Sequence, residues 1–387
     1  MALSKIDVAN MLTGLVPNDN TIRRKNASPI IINGDMAVAQ RSTSVTSISN
    51  GDGGYQTCDR MRFDESGTMG AALTITQESL TSGNAFINGF SNAFKVDVTT
   101  ADSSPDADDW SRLNMRIEAQ DMKPFKKGTS NAEKYTLAFW VKATKTGTNT
   151  IELYDADNTR SIGGSYSISS SDTWEHKVVN FAADTTGAFA DDNGEGLRIS
   201  WSLSAGSNYT SGTLPSAWES STVANTAPNQ VNHFDSTSNN FHITGIQLEV
   251  GEFSSTTLPP FQFESYGDNL ARCQRYYYFH ASEATNGDTD TQLCTTTNYN
   301  TSQTKGVISF PQRMRAKPTL KQNTGSNMYR VYETNSNATM TSLSLSSSGT
   351  ENYGVVFNGS SISVTQGSAG NLETMDGTAF VAFDAEL

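Results

Sequence analysis

Tyr135-Thr136-Leu137-Ala138-Phe139-Trp140-Val141-Lys142 and Leu197-Arg198-Ile199-Ser200-Trp201-Ser202-Leu203 place bulky apolar residues at alternate positions, with mainly small or polar residues between them. A period of two marks a strand with one buried face, because successive side chains point to opposite sides of a sheet. One face of each segment therefore packs inward. Outward from these two, short apolar stretches recur between clusters of Gly, Asn, Asp and Ser, at 29–38, 55–63, 71–77, 94–99, 113–119, 150–154, 174–182 and 241–250. About ten strands at this spacing predict an all-β fold that opens with a two-sheet sandwich of jelly-roll type. Trp140, Trp174 and Trp201 lie inside these strands and read as core.

The composition points the same way. Of 387 residues only 17% are charged, while Ser and Thr make up about a quarter of the chain. Soluble domains usually carry about 25% charged residues, and a Ser/Thr excess suits strands and turns better than helices. The formal net charge is −13, with 27 Lys and Arg against 40 Asp and Glu. That balance argues against polynucleotide binding and against attraction to an anionic membrane. The three cysteines, Cys58, Cys273 and Cys294, are an odd number without metal-site spacing, so the fold does not rest on disulfides. No apolar run has the length of a membrane span, and the first dozen residues lack a signal-peptide core, which predicts synthesis in a cytoplasm and no membrane insertion.

Four regions follow. Residues 1–28 form an arm: a short amphipathic helix over 4–12 with Ser4 as N-cap, then a polar stretch carrying Arg23-Arg24-Lys25. Residues 29–255 form the jelly roll, with a Ser/Asn/Thr-rich excursion over 204–240 that is too long for an ordinary connection. Residues 256–274 form a linker, where Pro259-Pro260 stops the strand and a helical turn or two follows over 268–275. Residues 275–387 form a second, smaller β-sandwich.

No constellation for catalysis emerges, and neither a catalytic residue nor a resident cofactor is expected. The histidines, His176, His233, His242 and His280, lack metal-binding spacing, and no G-x-S-x-G or Walker pattern occurs. Gly163-Gly164 reads as a turn. Four acidic clusters, Asp106-Ala-Asp-Asp109, Asp155-Ala-Asp157, Asp191-Asp192 with Glu195, and Asp288 with Asp290, read as solvated turns, with structural calcium left open as the exception. Asp59-Arg60 in a strand reads either as a buried or edge ion pair or as an exposed pair.

Aromatic residues carry the better lead. A pyranose offers an apolar CH face and a rim of hydroxyls, so a sugar site needs flat rings flanked by amides and carboxylates. Trp110, Trp218, Tyr154, Tyr166 and Tyr209 are suitable, and Trp218 and Tyr209 stand out because they sit in the polar excursion. The expected ligand contacts are Trp218, Tyr209, Trp110 and Tyr154. Burial of a sandwich edge is the alternative role for the two in the excursion.

Pro29-Ile-Ile-Ile-Asn-Gly-Asp-Met-Ala-Val-Ala-Gln-Arg41, Cys58-Asp-Arg-Met-Arg-Phe63 and the segment from Tyr135 resemble the opening of tailed-bacteriophage fibre and appendage proteins that carry a carbohydrate-binding-module-like jelly roll. Ile243-Thr-Gly-Ile-Gln-Leu-Glu-Val-Gly251 and Pro260-Phe-Gln-Phe-Glu-Ser-Tyr-Gly-Asp-Asn-Leu-Ala-Arg-Cys-Gln-Arg-Tyr-Tyr277 resemble the join to a small C-terminal β-domain in the same proteins. Met61 departs from the aromatic residue that many relatives place after the Asp-Arg pair. The resemblance implies a virion protein, assembled in the host cytoplasm as a homotrimer. Its residues 1–28 dock to other virion proteins and its outer domains bind a host surface polysaccharide. The alternatives are a structural head fibre, capsid decoration or tail connector, and a glycan-cleaving enzyme, for which no carboxylate pair speaks.

Overall fold

The computed structural model describes residues 28–282, 290–333, 336–346, 351 and 354–387. The arm helix, the basic cluster and Asp288 lie outside the described residues. The chain divides into two units, and the division differs from the expected boundaries. Unit 1 holds Ser44–Gly54, Met61–Phe263 and the described residues up to Met36, whereas unit 2 holds Ala37–Thr43, Tyr55–Arg60 and Glu264–Leu387.

The strands of the first part are β1 (Ser44–Ile48), β2 (Gly54–Tyr55), β3 (Arg62–Ser66), β4 (Ala72–Ser79), β5 (Asn92–Thr100), β6 (Trp110–Glu118), β7 (Tyr135–Ala143), β8 (Gly147–Asp155), β9 (Arg160–Ile168), β10 (Glu175–Phe181), β11 (Glu195–Ala205), β12 (Glu219–Ser220) and β13 (Asn240–Val250). They form a six-stranded sheet, β1-β4-β5-β13-β7-β10, and a seven-stranded sheet, β12-β9-β8-β11-β6-β3-β2. The pairings are antiparallel, and the two sheets make the predicted jelly-roll sandwich. Inward side chains alternate as the sequence requires: Leu137, Phe139 and Val141 from β7, and Leu197, Ile199, Trp201 and Leu203 from β11, are all buried. Phe139 meets Trp201 edge to face at 5.7 Å. Trp174 is buried as expected, but Trp140 points to the opposite face of β7 and is half-buried in a satellite cluster with Phe90 and Trp174.

Several expectations fail locally. Residues 29–38 are irregular rather than extended, and β9 occupies residues whose Gly163-Gly164 pair reads as a turn. Gly164 lies within the ladder: a Cβ there would stand 2.7 Å from Val179 and 2.8 Å from the Phe181 ring. Its lack of a side chain makes room for the core.

In unit 2, the strands are β14 (Tyr277–Ser282), β15 (Gln292–Asn300), β16 (Gln303–Ser309), β17 (Thr319–Gln322), β18 (Tyr329–Glu333), β19 (Ser336–Met340), β20 (Ser344–Leu345), β21 (Gly354–Ser360), β22 (Ala369–Thr374) and β23 (Phe380–Asp384). A three-stranded sheet, β14-β23-β17, and a seven-stranded sheet, β19-β18-β22-β15-β16-β21-β20, enclose a core that includes Tyr329, Val331, Phe357, Leu372, Val381 and Phe383. A helix, Tyr266–Gln274, precedes β14, its Ser265 N-cap accepting from the Asp268 N–H. This is the smaller β-sandwich expected after the linker.

Asp59 and Arg60 are both buried, in a turn rather than a strand, and the ion pairs found for them go to other residues. Arg41 Nη1 stands 3.4 Å from Asp59, and Arg60 pairs with Glu386. Arg41 and Arg60 lie over the rings of Tyr277 and Tyr276, at 3.7 and 3.5 Å. Burial pushes the Asp59 carboxyl up to about 6, against the opposing pull of Arg41 and the Gln40 hydrogen bonds. A carboxyl raised by folding holds its proton more firmly in the folded chain. Its contribution favours folding at low pH and is lost as pH rises from the ordinary carboxylate value, 3.8, through about 6. Between about pH 4 and about pH 7 the wild type is expected to lose stability relative to Asp59→Asn, measured by hydrogen exchange in unit 2 under urea. A pH-independent difference between the two proteins overturns this assignment.

Candidate functional site

The outward face of the seven-stranded sheet carries the site. Because Leu113, Met115 and Ile117 of β6 point inward, Trp110, Arg112, Asn114 and Arg116 point outward, and the same parity turns out Glu152 and Tyr154 of β8 and Arg198, Ser200, Ser202 and Ser204 of β11. Strand register then sets neighbours. Arg112 lies opposite Ser202, Asn114 opposite Ser200, Ser200 opposite Glu152, and Arg198 opposite Tyr154.

These groups hold one another in place. Ser200 Oγ donates to Asn114 Oδ1 at 2.6 Å, and Arg116 reaches Asp64 at 3.2 Å and Glu195 at 3.3 Å. Arg198 donates from Nε to Glu195 at 2.7 Å and lies over the Tyr154 ring at 5.2 Å. Arg112 lies 4.1 Å over the Trp110 ring and reaches Glu152 at 3.4 Å. Burial pushes the Glu152 carboxyl above its ordinary value, opposed by Arg112, Arg198 and a hydrogen bond with Ser161.

The long excursion after β11 supplies the facing wall. It is ordered, with a short helix, Ser207–Thr210, the two-residue β12 and a 3-10 turn, Val223–Asn225. Gly206 makes the crossing: a Cβ there would stand 1.9 Å from the Asp106 carbonyl oxygen. The Gly206 N–H donates to Asp109 O and the Asn208 N–H to Ala107 O, which fixes the helix against the start of β6. Tyr209 thereby meets Trp110 edge to face, with ring centroids 6.3 Å apart.

A cleft of about 270 Å³ results, lined by Trp110, Arg112, Glu152, Tyr154, Arg198 and Tyr209, with hydroxyls from Ser202, Ser204, Ser221 and Thr226. Three of the predicted contacts, Trp110, Tyr154 and Tyr209, thus share one cleft. Trp218 does not join them. It is buried, its Nε1 donates to Ala182 O at 2.8 Å, and its ring packs 5.7 Å from that of Tyr135. Trp218 anchors the excursion to the sandwich, the edge-burying role. Tyr166 is buried against Phe139. The sequence reading missed Arg112, Glu152 and Arg198. The signal for them was present in the alternation, which marks the polar positions of a strand as surely as the apolar ones.

The acidic clusters are only partly solvated turns. Asp155 is fully buried, with Lys127 Nζ at 2.5 Å, and Asp109 accepts from the N–H groups of Thr68 and Asp106. Among the described residues no group of three or more His, Cys, Asp or Glu is placed to hold a metal ion, and no helix is long and apolar enough to cross a membrane. None of the cysteines forms a disulfide.

No protein-family model and no curated protein sequence matches the chain. Among solved structures, it is similar to the enzymatically active domain of tailspike protein 4 of bacteriophage CBA120, at 16% identity and TM-score 0.28, covering 53% of this chain and 21% of that one. It is also similar to the family 11 carbohydrate-binding module of Clostridium thermocellum, solved with a mixed-linked tetrasaccharide, at 10% identity and TM-score 0.26, covering 55% and 99%. The N-terminal cellulose-binding domain of Cellulomonas fimi β-1,4-glucanase C is similar at 14% identity and TM-score 0.25, covering 59% and 100%.

Proposed function

We propose that this chain is a bacteriophage virion protein, a tail-fibre or spike subunit, and that it binds a host-surface polysaccharide in the cleft of unit 1. The observation that carries the binding reading is the meeting of Trp110, Tyr154 and Tyr209 around one cleft whose lining also includes hydroxyls, two guanidinium groups, a carboxylate and the aliphatic Ala205, Val223 and Ala227. Flat rings take the CH face of a pyranose, and the polar groups take its hydroxyl rim. Among the described residues Glu152 is the one carboxylate in the lining, whereas cleavage of a glycosidic bond ordinarily takes two. The reading is therefore of binding rather than hydrolysis. The virion setting, the homotrimer and the docking of residues 1–28 to other virion proteins rest on the resemblance of residues 29–41, 58–63, 135–143, 243–251 and 260–277 to phage appendage proteins.

A second reading, a structural head fibre, decoration or connector protein, is favoured by the exposed Tyr299, Val307 and Tyr332 of unit 2, which suit packing against neighbouring subunits. Trp110→Ala and Tyr209→Ala separate the two. Each is expected to weaken binding of the purified protein to host cells about fivefold, since a ring contact of this kind contributes about 1 kcal/mol. Unchanged adsorption by both variants sinks the receptor-binding reading and leaves the structural one.

A further inference from the structure

We infer that the cleft selects an anionic saccharide, one whose carboxylate or phosphate is met by Arg112. This inference rests on the glycan-binding reading and narrows it to a ligand class. The charged residues lining the cleft are Arg112, Arg198 and Glu152, an excess of positive charge in a chain whose formal net charge is −13.

The two guanidinium groups are not equivalent. Arg198 is neutralised by Glu195, to which it donates at 2.7 Å. Among the described residues Arg112 makes a single side-chain hydrogen bond, from Nη1 to Glu152 at 3.4 Å, and its buried Nε has no acceptor. A guanidinium presents donors on every nitrogen in a fixed planar fork that matches a carboxylate or phosphate. The ring of Trp110 beneath it, at 4.1 Å, holds that plane in one orientation. By comparison, Arg160 on the same sheet spends Nε and Nη2 on Asp184 and donates also to Trp218 O. Arg112 is thus the cleft cation with donor capacity to spare. Burial, together with the like charges of Arg198 and Arg116, holds its guanidinium below the ordinary value despite Glu152 and Asp64. An anion in the cleft relieves that pressure.

The test is calorimetry on the full chain with three sets of probes. These are oligogalacturonides and their methyl esters, which share rings and differ in charge; neutral gluco- and manno-oligosaccharides; and phosphorylated manno-oligosaccharides. Charge-assisted hydrogen bonds make the acid or phosphorylated probes about tenfold to a hundredfold tighter than their neutral counterparts. Arg112→Gln is expected to abolish the difference and Arg112→Lys to keep part of it, with thermal melts checking that both variants fold. The carboxylate and phosphate arms tell which anion the fork takes.

Equal binding of charged and neutral probes by the wild type, or a preference that survives Arg112→Gln, overturns the inference while leaving glycan binding in place. Silence of all three sets overturns the glycan reading and this inference with it. Should Arg112→Gln not fold, the acid and ester comparison on the wild type and on Arg112→Lys decides alone.

Discussion

Lys127→Met is expected to destabilise unit 1 by about 3–5 kcal/mol, the range found when one partner of a buried ion pair is removed. The Lys127 side chain has no solvent exposure, and its Nζ faces Asp155 at 2.5 Å and Asp184 at 3.1 Å. It also donates to the backbone carbonyls of Thr186 and Gly187, at 2.9 and 2.6 Å. One ammonium thus ties the end of β8 to the loop after β10. Methionine keeps the length and apolar stem of the side chain but removes the charge. Asp184 retains Arg160, while buried Asp155 is left with hydrogen bonds from Asn158 alone. The second variant, Lys127→Met with Asp155→Asn, should recover much of the loss, because a neutral site no longer strands a charge. All tryptophans of the chain, 110, 140, 174, 201 and 218, belong to unit 1. Tryptophan fluorescence under urea therefore reads this unit. A shift below about 1 kcal/mol for the single variant would falsify the assignment of Lys127 as a keystone. Acid should weaken the same cluster. Burial alone would raise Asp184, but hydrogen bonds from Arg160, the Thr186 N–H and Lys127 hold it below the ordinary carboxylate value, so its stabilisation fades as pH falls through that lowered value.

Glu386→Gln is expected to cost unit 2 a comparable amount, about 3–5 kcal/mol. Glu386 accepts from Arg60 through Oε2 and from Arg41 through Oε1, the latter at 3.2 Å, and all three side chains are largely buried. Removing its charge leaves Arg60 facing the Tyr276 ring without the carboxylate opposite it. Arg41 fares better because Asp59 remains at 3.4 Å. The segments 37–43 and 55–60 are held to the body of unit 2 by these contacts, so their amides should lose hydrogen-exchange protection before those of β15 and β16. Uniform protection in Glu386→Gln, with unit 2 melting as in the wild type, counts against this role. Unit 2 contains no tryptophan, so tyrosine signals or exchange must report it.

Several elements were legible because their information is local. β6, β7, β11 and β13 carry long alternating patterns, and a backbone with a period of two converts such a pattern into an inner and an outer face. β9 was not legible: Arg-Ser-Ile-Gly-Gly-Ser-Tyr-Ser-Ile looks like a turn until Val179 and Phe181 are seen occupying the space above Gly164. At the site, Trp110, Tyr154 and Tyr209 were recognisable as rings in search of a purpose. Trp218 had the same local signature as Tyr209, a large aromatic in a polar excursion, and its contacts with Ala182 and Tyr135 separate their fates.

By itself the sequence determined that the chain is all-β and that bulky apolar residues alternate with polar ones along its clearest strands, though not that Trp140 of β7 faces away from the main core. Those properties follow from neighbours along the backbone. Tertiary structure decided the rest. It alone made Ala37–Thr43 and Tyr55–Arg60 part of unit 2, turned Asp155 from a solvated turn residue into the partner of a buried lysine, and closed the excursion over the polar sheet face to make a cleft. Burial, ion pairing and the shape of a cleft depend on which distant segments arrive at the same place, and no stretch of sequence carries that information alone.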